Sequence, residues 1–470
     1  MAGSCCTALA AVLGSETFSP GSTGYASSLS SYWSLQETEV LPSCIVQPAS
    51  AEHVSVAVTT LTSNDCSFAV RSGGHSPVAG AANIASGVTL DLTRLDTITV
   101  SSDRATVSLG PAATWGEVYS ALDPLNLTVA GGRSGGVGVG GLTVGGGISF
   151  HSPRVGFTAD TVTNFQVVLA DGRIVDSKDD ADLDWSLRGG SNNFGVVTRL
   201  DLAPIEQGQL WGGNVYSAID TADAQLRFLA GFCDPATYDE YASLIMTLAY
   251  DGSTGTQLFS NAVEYTKPEA EPPVFAPLME IPTFYNTMRI DSMASISAEL
   301  AATSPRGGRA SFMTLTHGAT LPMLEAVLAA FNTSVAAVRG VDAITWTLSL
   351  EPLPPAIYER HAHDNALGLD GRGGKGLVVT LLTAMWSDAA DDATVEAAGE
   401  ALHDDIKAAA QELGEYDPWL YLNYASRAAW QGSPVASYGW GSAARLRQTS
   451  AKVDPAGVFQ KKVPGGFKLV

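Results

Sequence analysis

Residues 71–96 read RSGGHSPVAGAANIASGVTLDLTRLD, and they place a single histidine, His75, directly after two glycines before the chain returns to an alternating apolar pattern. A second stretch, residues 131–147, reads GGRSGGVGVGGLTVGGG, and ten of its seventeen positions are glycine. Because glycine has no Cβ, the backbone of such loops can lie directly against another surface. We therefore expect both loops to hold a large, flat, anionic ligand through backbone amides.

The composition is that of a folded, acidic protein. The chain has 470 residues, of which 45% are apolar and 16% charged, and this length favours two or three domains. Its 26 basic and 48 acidic residues give a net charge of −22, which argues against nucleic acid or an anionic membrane as a partner. No run reaches the ~18 consecutive apolar residues of a membrane span, so we expect a soluble protein.

The cysteines and the glycosylation sequons bear on the compartment. Five cysteines without CxxC spacing permit one or two disulfides, and the pairing stays open. Sequons at Asn126 and Asn332 favour a secreted glycoprotein. The amino-terminal residues lack the basic region of a signal peptide, so a cytoplasmic location stays open as the alternative.

Two patterns of elements follow one another along the chain. Up to about Ile205, short strands alternate with helices; Ser50 is a predicted N-cap, Thr114 and Glu117 form a predicted capping box, and an Asp171-Gly172 turn predicts a hairpin. Beyond that point come long alternating strands such as YASLIMTLAYDG and AITWTLSLEPLP, interspersed with amphipathic helices. The second part therefore predicts an α+β domain with a large antiparallel sheet.

Gly136, Gly138 and Gly141 match the GxGxxG pattern of dinucleotide-binding folds. That fingerprint follows a strand and opens a helix inside a βαβ unit, whereas here a triple glycine comes next, which is a poor start to a helix. We therefore interpret the loop as amides around a polyanion, and a nicotinamide dehydrogenase stays only a remote alternative.

Several motifs in order, RSGGHSPVAG, GGRSGGVGVGGLTVGGG, VVLADGRIVD, LRGGSNNFGVVTRL and YLNYA, resemble those of the berberine bridge enzyme-like group. These flavoproteins belong to the vanillyl-alcohol oxidase superfamily, and fungal members have this pattern. The resemblance implies an α+β, two-domain fold. An FAD-binding domain of the p-cresol methylhydroxylase type, built of two small α/β subdomains, precedes a substrate domain whose large antiparallel sheet is covered by helices.

The resemblance also implies limits for each part of the chain. Residues 1–37 form an amino-terminal segment that packs on the FAD domain, and residues 38–205 form that domain. Residues 206–418 form the substrate domain, and residues 419–470 return to the FAD domain.

The same resemblance assigns a flavin site. His75 occupies the position that bonds the 8α-methyl group of FAD, whereas Ser134 replaces the cysteine that forms a second tether in many relatives, so a single covalent bond through His75 is expected. Val137 borders the flavin face that O2 approaches. The remaining expected cofactor contacts are Arg71, Ser72, Gly73, Gly74, Ser76, Gly138, Gly140, Gly141, Gly145, Gly146, Gly147, Gly195, Val196, Val197 and Asn423.

Two residues are candidates for the base that takes a proton from the substrate. The resemblance places Tyr421, the first tyrosine of the YxN motif, beside the reactive flavin face. Glu351 shares one face of a predicted strand with Thr347 and Ser349, by the period of two, and is the second candidate. A metal site at His361, His363 and Asp364 is dismissed because no further ligand is nearby in the sequence, so no metal is expected.

The function implied is an FAD-dependent oxidase. A hydride from a C–H next to an alcohol or amine of a small secondary-metabolite-type substrate would pass to flavin N5, with O2 as acceptor and H2O2 as product. Oxidation of a mono- or oligosaccharide is one alternative, and a flavin-bound cyclase without net redox chemistry is another. The substrate and the oligomeric state stay open.

Overall fold

The structure is a computed structural model, and it describes residues 2–428 and 430–469. The terminal residues of the predicted segments 1–37 and 419–470, and residue 429 within the second, therefore lie outside the described residues.

The part of the chain before residue 206 forms two small sheets. In the first, the parallel strands Cys44–Val46, Val88–Asp91 and Phe68–Arg71 lie side by side, and Thr17–Phe18 adds an antiparallel edge. The second sheet is antiparallel and has the order Ile98–Val100, Val107–Leu109, Val196–Leu202, Val162–Val168, Ile174–Asp176. A two-residue pairing joins Ile205–Glu206 to Leu127–Thr128.

A large antiparallel sheet forms the second part, with nine strands among the described residues. Its order is Tyr285–Asn286, Leu210–Ala218, Thr256–Tyr265, Ala242–Asp251, Thr345–Leu353, Leu377–Trp386, Arg309–Gly318 and Tyr416–Asp417, and Arg289–Asp291 also pairs with Leu210–Ala218. This mixed architecture confirms the predicted α+β fold. The change from the small sheets to the large sheet falls near residue 205, and the exact domain limits stay a prediction.

Helices cover one face of the large sheet and flank the small sheets. The longer ones are Ala2–Leu13, Thr23–Ser30, Ala51–Ser63, Trp115–Leu122, Val139–Val144, Ala181–Leu187, Ala222–Phe232, Met293–Ala302, Leu321–Val338, Asp392–Glu412 and Gly439–Val453. One-turn helices are Leu35–Thr38, Ser152–Val155, Ala276–Met279, Pro355–Tyr358, Pro434–Ser437 and Val458–Lys461. Leu321–Val338 is long and apolar enough to cross a membrane, but its Met323, Val327 and Phe331 are fully buried in the core beside the large sheet.

Local signals in the first part of the sequence are confirmed. The Ser50 side chain caps the helix Ala51–Ser63, and Thr114 forms the predicted capping box with Glu117. Gly172 has a φ of +86° in the turn of the predicted hairpin, a conformation that favours glycine.

The glycine loop differs from its prediction in one respect, because it does open a helix. Val139–Val144 begins after Gly138 and stops after six residues at Gly145. The nearest long strand, Val162–Val168, belongs to an antiparallel sheet, so the loop does not form a βαβ unit. The start of this short helix lies against Gly73 and Ser72, which follow a strand of the first sheet, and the arrangement differs from a dinucleotide-binding βαβ fold.

Both ends of the chain pack on the first sheet. Among the described residues, Cys5 is bonded to Cys66 and Cys6 to Cys44, so two disulfides join the helix Ala2–Leu13 to the start of the first sheet. From the other end, Phe459 packs edge-on against Phe68, with 6.1 Å between ring centroids. The small sheets are therefore stabilised by segments far apart in sequence.

Candidate active site

A cavity of about 690 Å³ lies between the glycine loops and the uncovered face of the large sheet. This volume is within the ~300–1,000 Å³ typical of ligand sites. The predicted site residues that line it are Ser72, Gly73, Gly74, His75, Ser76, Ser134, Val137, Gly138, Gly140, Gly141, Gly195, Val196, Val197, Glu351, Tyr421 and Asn423. Loops that are separated in sequence thus share one cavity with the large sheet.

The two glycine loops touch backbone to backbone. A Cβ added at Gly73 would lie 2.6 Å from the Cα of Gly138, and a Cβ added at Gly138 would lie 2.6 Å from the Cα of Gly73. A Cβ at Gly140 would lie 2.8 Å from Ser72 Oγ and 2.9 Å from Pro111 Cβ. These glycines therefore allow one loop to lie directly on the other, and the joint surface borders the cavity.

The loop that carries His75 presents free amides to the cavity. Among the described residues, no acceptor bonds the backbone N–H groups of Gly73, Gly74, His75 and Ser76. Four successive partly buried donors without partners are costly unless a ligand or water completes them. Such a run fits the phosphate oxygens of a dinucleotide, so the residues present suit FAD in this respect.

His75 is held as a neutral imidazole beside the cavity. Its ring stacks on Trp33 with 4.5 Å between centroids and an interplanar angle of 11°. Burial is the main cause that lowers the pKa of His75 to about 4. A neutral imidazole keeps a nitrogen lone pair, which bonding to a carbon atom requires.

Four of the predicted cofactor contacts do not line the cavity. Arg71 is fully buried on the other side of its strand, where its guanidinium donates to Ser28 and Ser31 and lies 4.1 Å from the ring centroid of Tyr32. The Arg71 side chain thus packs the first sheet against the helix Thr23–Ser30.

The other three predicted contacts that do not line the cavity are the glycines of the triple glycine, residues 145–147. A Cβ at Gly145 would lie 2.0 Å from Asn423 Oδ1, and one at Gly147 would lie 2.5 Å from a methyl carbon of Leu142. At Gly146, where φ is +109°, the nearest atoms belong to Leu367 and Tyr421. These glycines admit close packing by other parts of the protein.

The large sheet forms the opposite wall of the cavity. Thr347, Ser349 and Glu351 line the cavity from one strand, as their alternation predicts. Thr247 of the neighbouring strand shares a hydrogen bond with Ser349, with 2.9 Å between the two hydroxyl oxygens. Asn214, Tyr216 and Phe312 also line this wall, and its other side chains are apolar or small hydroxyl ones: Ile245, Ala249, Leu258, Ser260, Ala262, Thr345, Leu381, Thr383 and Met385.

A buried ion pair spans the two walls. Arg133 Nη2, from the glycine loop, donates to Glu351 Oε2 at 2.6 Å and to Tyr424 Oη at 2.7 Å. Tyr424 Oη in turn donates to Glu351 Oε1 at 2.9 Å. Arg133 and Glu351 are 7% and 2% exposed, so the pair lies almost out of water.

The charges of this cluster are mutually dependent. Burial opposes the charge of Arg133, but the adjacent Glu351 carboxylate outweighs it and raises the pKa of the guanidinium above its ordinary value. Burial first, and then Glu351, raise the pKa of Tyr424 well above that of a free phenol. At neutral pH the cluster is an arginine cation, a carboxylate and a neutral phenol hydrogen-bonded to that carboxylate.

Tyr421 lies beside this cluster without a carboxylate of its own. Its ring meets that of Tyr424 edge-on at 4.7 Å, and its Oη accepts a hydrogen bond of 3.0 Å from Asn423 Nδ2. Burial is the main cause that raises the pKa of Tyr421 to about 12. Asn423 Nδ2 also donates to the carbonyl of Leu142, which fixes the YxN segment to the short helix after the glycine loop.

Sequence reasoning missed Arg133 and Tyr424. Arg133 lies in a glycine-rich loop with no visible partner, and its carboxylate is 218 positions away. Tyr424 directly follows the YxN motif, so its position was visible, but its hydrogen bond to Glu351 was not. His361 and Asp364, for which a metal was considered and dismissed, form a partly exposed pair at 3.2 Å.

Comparison with known proteins agrees with this geometry. Residues 42–178 match the model of an FAD binding domain. An FAD-dependent monooxygenase of Emericella nidulans is 36% identical over 99% of this chain and 98% of its own length. A protein of Diaporthe leptostromiformis named oligopeptidase PhomG′ is 41% identical over 98% of this chain, but the chain spans only 37% of its length.

Two solved structures share the fold. Berberine bridge enzyme in complex with (S)-reticuline has a TM-score of 0.79 at 17% identity, over 99% of this chain and 98% of that one. Xylooligosaccharide oxidase from Myceliophthora thermophila C1, in complex with xylobiose, has a TM-score of 0.78 at 19% identity, over the same shares. The fold and the site define an FAD-dependent oxidoreductase. The chain belongs to the family of FAD-dependent enzymes that includes the Emericella nidulans monooxygenase, and it has the fold of berberine bridge enzyme.

The contact between Gly73 and Gly138 can be tested by substitution. Gly138→Ala should lower the melting temperature and the amount of bound flavin together, because the new methyl group would push the two loops apart. The matched control is Gly208→Ala, where a Cβ would meet nothing within 4 Å. Thermal unfolding and the visible absorbance of the purified proteins measure both effects. Equal behaviour of the two variants would contradict the loop contact.

Proposed function

We propose that the protein is an FAD-linked oxidase. It oxidises an alcohol or amine of a small, largely apolar, hydroxylated metabolite, removing one hydrogen from the carbon and one from its hydroxyl or amine group. The two electrons reduce O2 to H2O2. The observation that carries this proposal is the Arg133–Glu351–Tyr424 cluster, which borders the same cavity as the glycine loops. A proton acceptor and a site for a hydride acceptor are thereby placed together.

The cluster supplies a path for the substrate proton. Tyr424 Oη donates to Glu351 and accepts from Arg133, which leaves one lone pair of the phenol oxygen for a substrate hydroxyl. As Tyr424 takes the substrate proton, its own proton passes to Glu351 Oε1, and the phenol stays neutral. Arg133 donates to Tyr424 Oη and to the other carboxylate oxygen, Glu351 Oε2, and so holds both side chains in place during this transfer. FAD, when bound, supplies the acceptor for the hydride and returns the two electrons to O2.

Tyr421 is the second candidate for the proton acceptor. It lines the same cavity, but its oxygen already accepts from Asn423 and has no carboxylate to which its own proton could pass. Ionisation of this buried phenol, whose pKa is about 12, would be unfavourable at neutral pH. We therefore assign the proton transfer to Tyr424 and Glu351, with Tyr421 as a wall of the substrate site.

The composition of the large-sheet wall supports the substrate class. This wall is lined mainly by apolar side chains, Phe312 among them, and by single hydroxyls, including the phenol of Tyr216. Its larger polar groups are engaged: Glu351 binds Arg133, and Asn214 donates to Glu299 at 2.7 Å. A flat apolar molecule with a few hydroxyl groups fits this pattern better than a sugar, which needs many fixed polar partners. Carbohydrate oxidation is the second candidate, favoured by the hydroxyls of Thr247, Ser349 and Thr347.

We also propose that His75 binds FAD covalently, by a single bond to its 8α-methyl group. The neutral imidazole at the cavity wall supports this bond, and Ser134, which lines the cavity, has no thiol for a second one. The small side chain of Val137, on the wall formed by the glycine loop, leaves room for O2.

The tether has a direct optical test. Acid-precipitated wild-type protein should keep its yellow colour, whereas the pellet of His75→Ala should be colourless and its flavin should appear in the supernatant. His53→Ala, a partly exposed histidine paired with Glu16, is the control and should behave as wild type. Yellow colour that leaves the wild-type pellet would contradict the covalent bond.

Substitutions of the proton acceptors test the proposed chemistry. A panel of benzylic and other secondary alcohols, with glucose, cellobiose and xylobiose as the carbohydrate arm, is first screened by H2O2 release. With the best substrate, Tyr424→Phe and Glu351→Gln should each lower kcat by about 10²–10³-fold, because general base catalysis is worth about 10²–10⁴-fold. Tyr421→Phe should keep kcat within about tenfold.

The outcomes separate the candidate functions. Loss of activity in Tyr421→Phe but not in Tyr424→Phe would overturn the assigned acceptor. H2O2 release with the sugars alone would establish the second candidate. A flavin that no member of the panel reduces under anaerobic conditions would favour a cyclase without net redox chemistry.

A further inference from the structure

Two cations at the cavity are not used by the proposed chemistry. Arg427 lines the cavity and is exposed. Lys468 donates from Nζ to Asn192 Oδ1 at 3.2 Å. Asn192 itself lines the cavity, together with Gly466 and Phe467 of the carboxyl-terminal segment. Arg427 therefore borders the cavity directly, and Lys468 is linked to it through Asn192.

The chain holds Lys468 in this place from both sides. Before it, Phe467 accepts a hydrogen bond of 2.9 Å from Asn193 Nδ2. After it, the Leu469 amide donates to Gln460 at 3.0 Å, and the Leu469 carbonyl accepts from Arg447 at 2.6 Å. These contacts fix the backbone on both sides of the lysine.

A glycine lets this segment approach the cavity. Gly466 has a φ of +75°, and a Cβ there would lie 2.6 Å from Asn192 Oδ1. A Cβ at the preceding Gly465 would clash with the carbonyl oxygens of Ala81 and Gly80, so the segment also packs on the loop that follows His75. The close approach therefore brings Lys468 to the wall that carries the glycine loops.

Within residues 2–428 and 430–469, no carboxylate lies within 4 Å of Lys468 or Arg427. This is notable in a chain with 48 acidic and 26 basic residues. Burial, and then the charge of Arg427, lower the pKa of Lys468 to about 7. A partly buried cation without a carboxylate partner is costly, and an anion bound beside Lys468 would remove that cost.

The position of the cations indicates which anion binds. The segment around Lys468 contacts Asn192 and the loop after His75, and both border the part of the cavity formed by the FAD-binding half. The wall formed by the large sheet, where the substrate would lie, contains neither cation. The free amides of residues 73–76 border the same cavity and provide donors for the same kind of group.

We propose that Lys468 and Arg427 are the charge partners of the FAD diphosphate, so that the carboxyl-terminal segment closes the cofactor site electrostatically. This inference rests on FAD binding and is independent of the substrate. The carboxyl-terminal segment would then have two roles, because it positions Tyr424 in the active site and also supplies cations for FAD.

The test is performed in the His75→Ala background, where FAD binding is reversible. Lys468→Gln should weaken FAD binding about tenfold or more, as expected for loss of a charge-assisted hydrogen bond, and should leave riboflavin binding unchanged. Lys468→Arg should keep most of the affinity, and Arg427→Gln should show a smaller loss in the same direction. Quenching of flavin fluorescence on titration of the flavin-free protein measures these affinities.

The matched control is Lys461→Gln, an exposed lysine of the same segment whose Nζ donates to the Ala456 carbonyl. It should bind FAD and riboflavin as the His75→Ala protein does. Equal affinities of Lys468→Gln and Lys461→Gln for FAD would overturn the proposal, as would a parallel loss of riboflavin binding, which indicates a structural role. A wild-type protein purified without any flavin would contradict FAD binding itself, and this outcome differs from a failure of the Lys468 proposal alone.

Unfolding temperatures give a second, independent readout. Without flavin, Lys468→Gln should unfold at a higher temperature than its parent, because a partly buried charge without a carboxylate partner among the described residues is removed. With FAD bound, including the tethered form that keeps His75, the same substitution should lower the unfolding temperature, and Lys468→Arg should restore it. The same sign of change in both states would contradict the proposal.

Discussion

A buried ion pair between the glycine loop and the large sheet joins the two halves of this protein at the active site. Arg133 comes from the half that carries the cofactor loops, and Glu351 comes from the substrate half, with 2.6 Å between Nη2 and Oε2. Removing two charges from water is costly, and only good geometry and further hydrogen bonds repay it. Tyr424 provides those bonds, since it accepts from one partner and donates to the other. The position of the proposed proton acceptor therefore depends on how the two halves are placed.

Glycine determines where the cofactor loops lie. Gly73 and Gly138 allow the loops to touch through their backbones, and the amides next to Gly73 stay without partners at the cavity. Gly466 has a similar role, because the absence of a side chain lets the carboxyl-terminal segment pass close to Asn192. Three segments from different parts of the chain thus approach one cavity through positions that a side chain would block.

Much of the fold and part of the site could be predicted from sequence, because the signals are local. The capping box at Thr114, the hairpin at Gly172 and the alternation that puts Thr347, Ser349 and Glu351 on one face all depend on near neighbours. The α+β class and the family follow from motifs in order along the whole chain.

The rest depends on contacts between distant residues, which no local pattern reveals. Arg71 is the first residue of the RSGGH motif, but its side chain is turned towards Ser28 and Ser31, because its strand is packed against a helix from the amino-terminal segment. The partner of Arg133 is 218 positions away, and the two disulfides of the described chain could be paired only once the helix Ala2–Leu13 had been placed.

The most direct test of this account is a crystal structure of the purified protein with its own flavin. The account predicts continuous density from the His75 ring to an isoalloxazine that lies between the Gly73–Gly138 contact and the large sheet, with its reactive edge towards Tyr424 and Glu351. A flavin whose reactive edge faces away from these two side chains, or that lies outside this cavity, would contradict it.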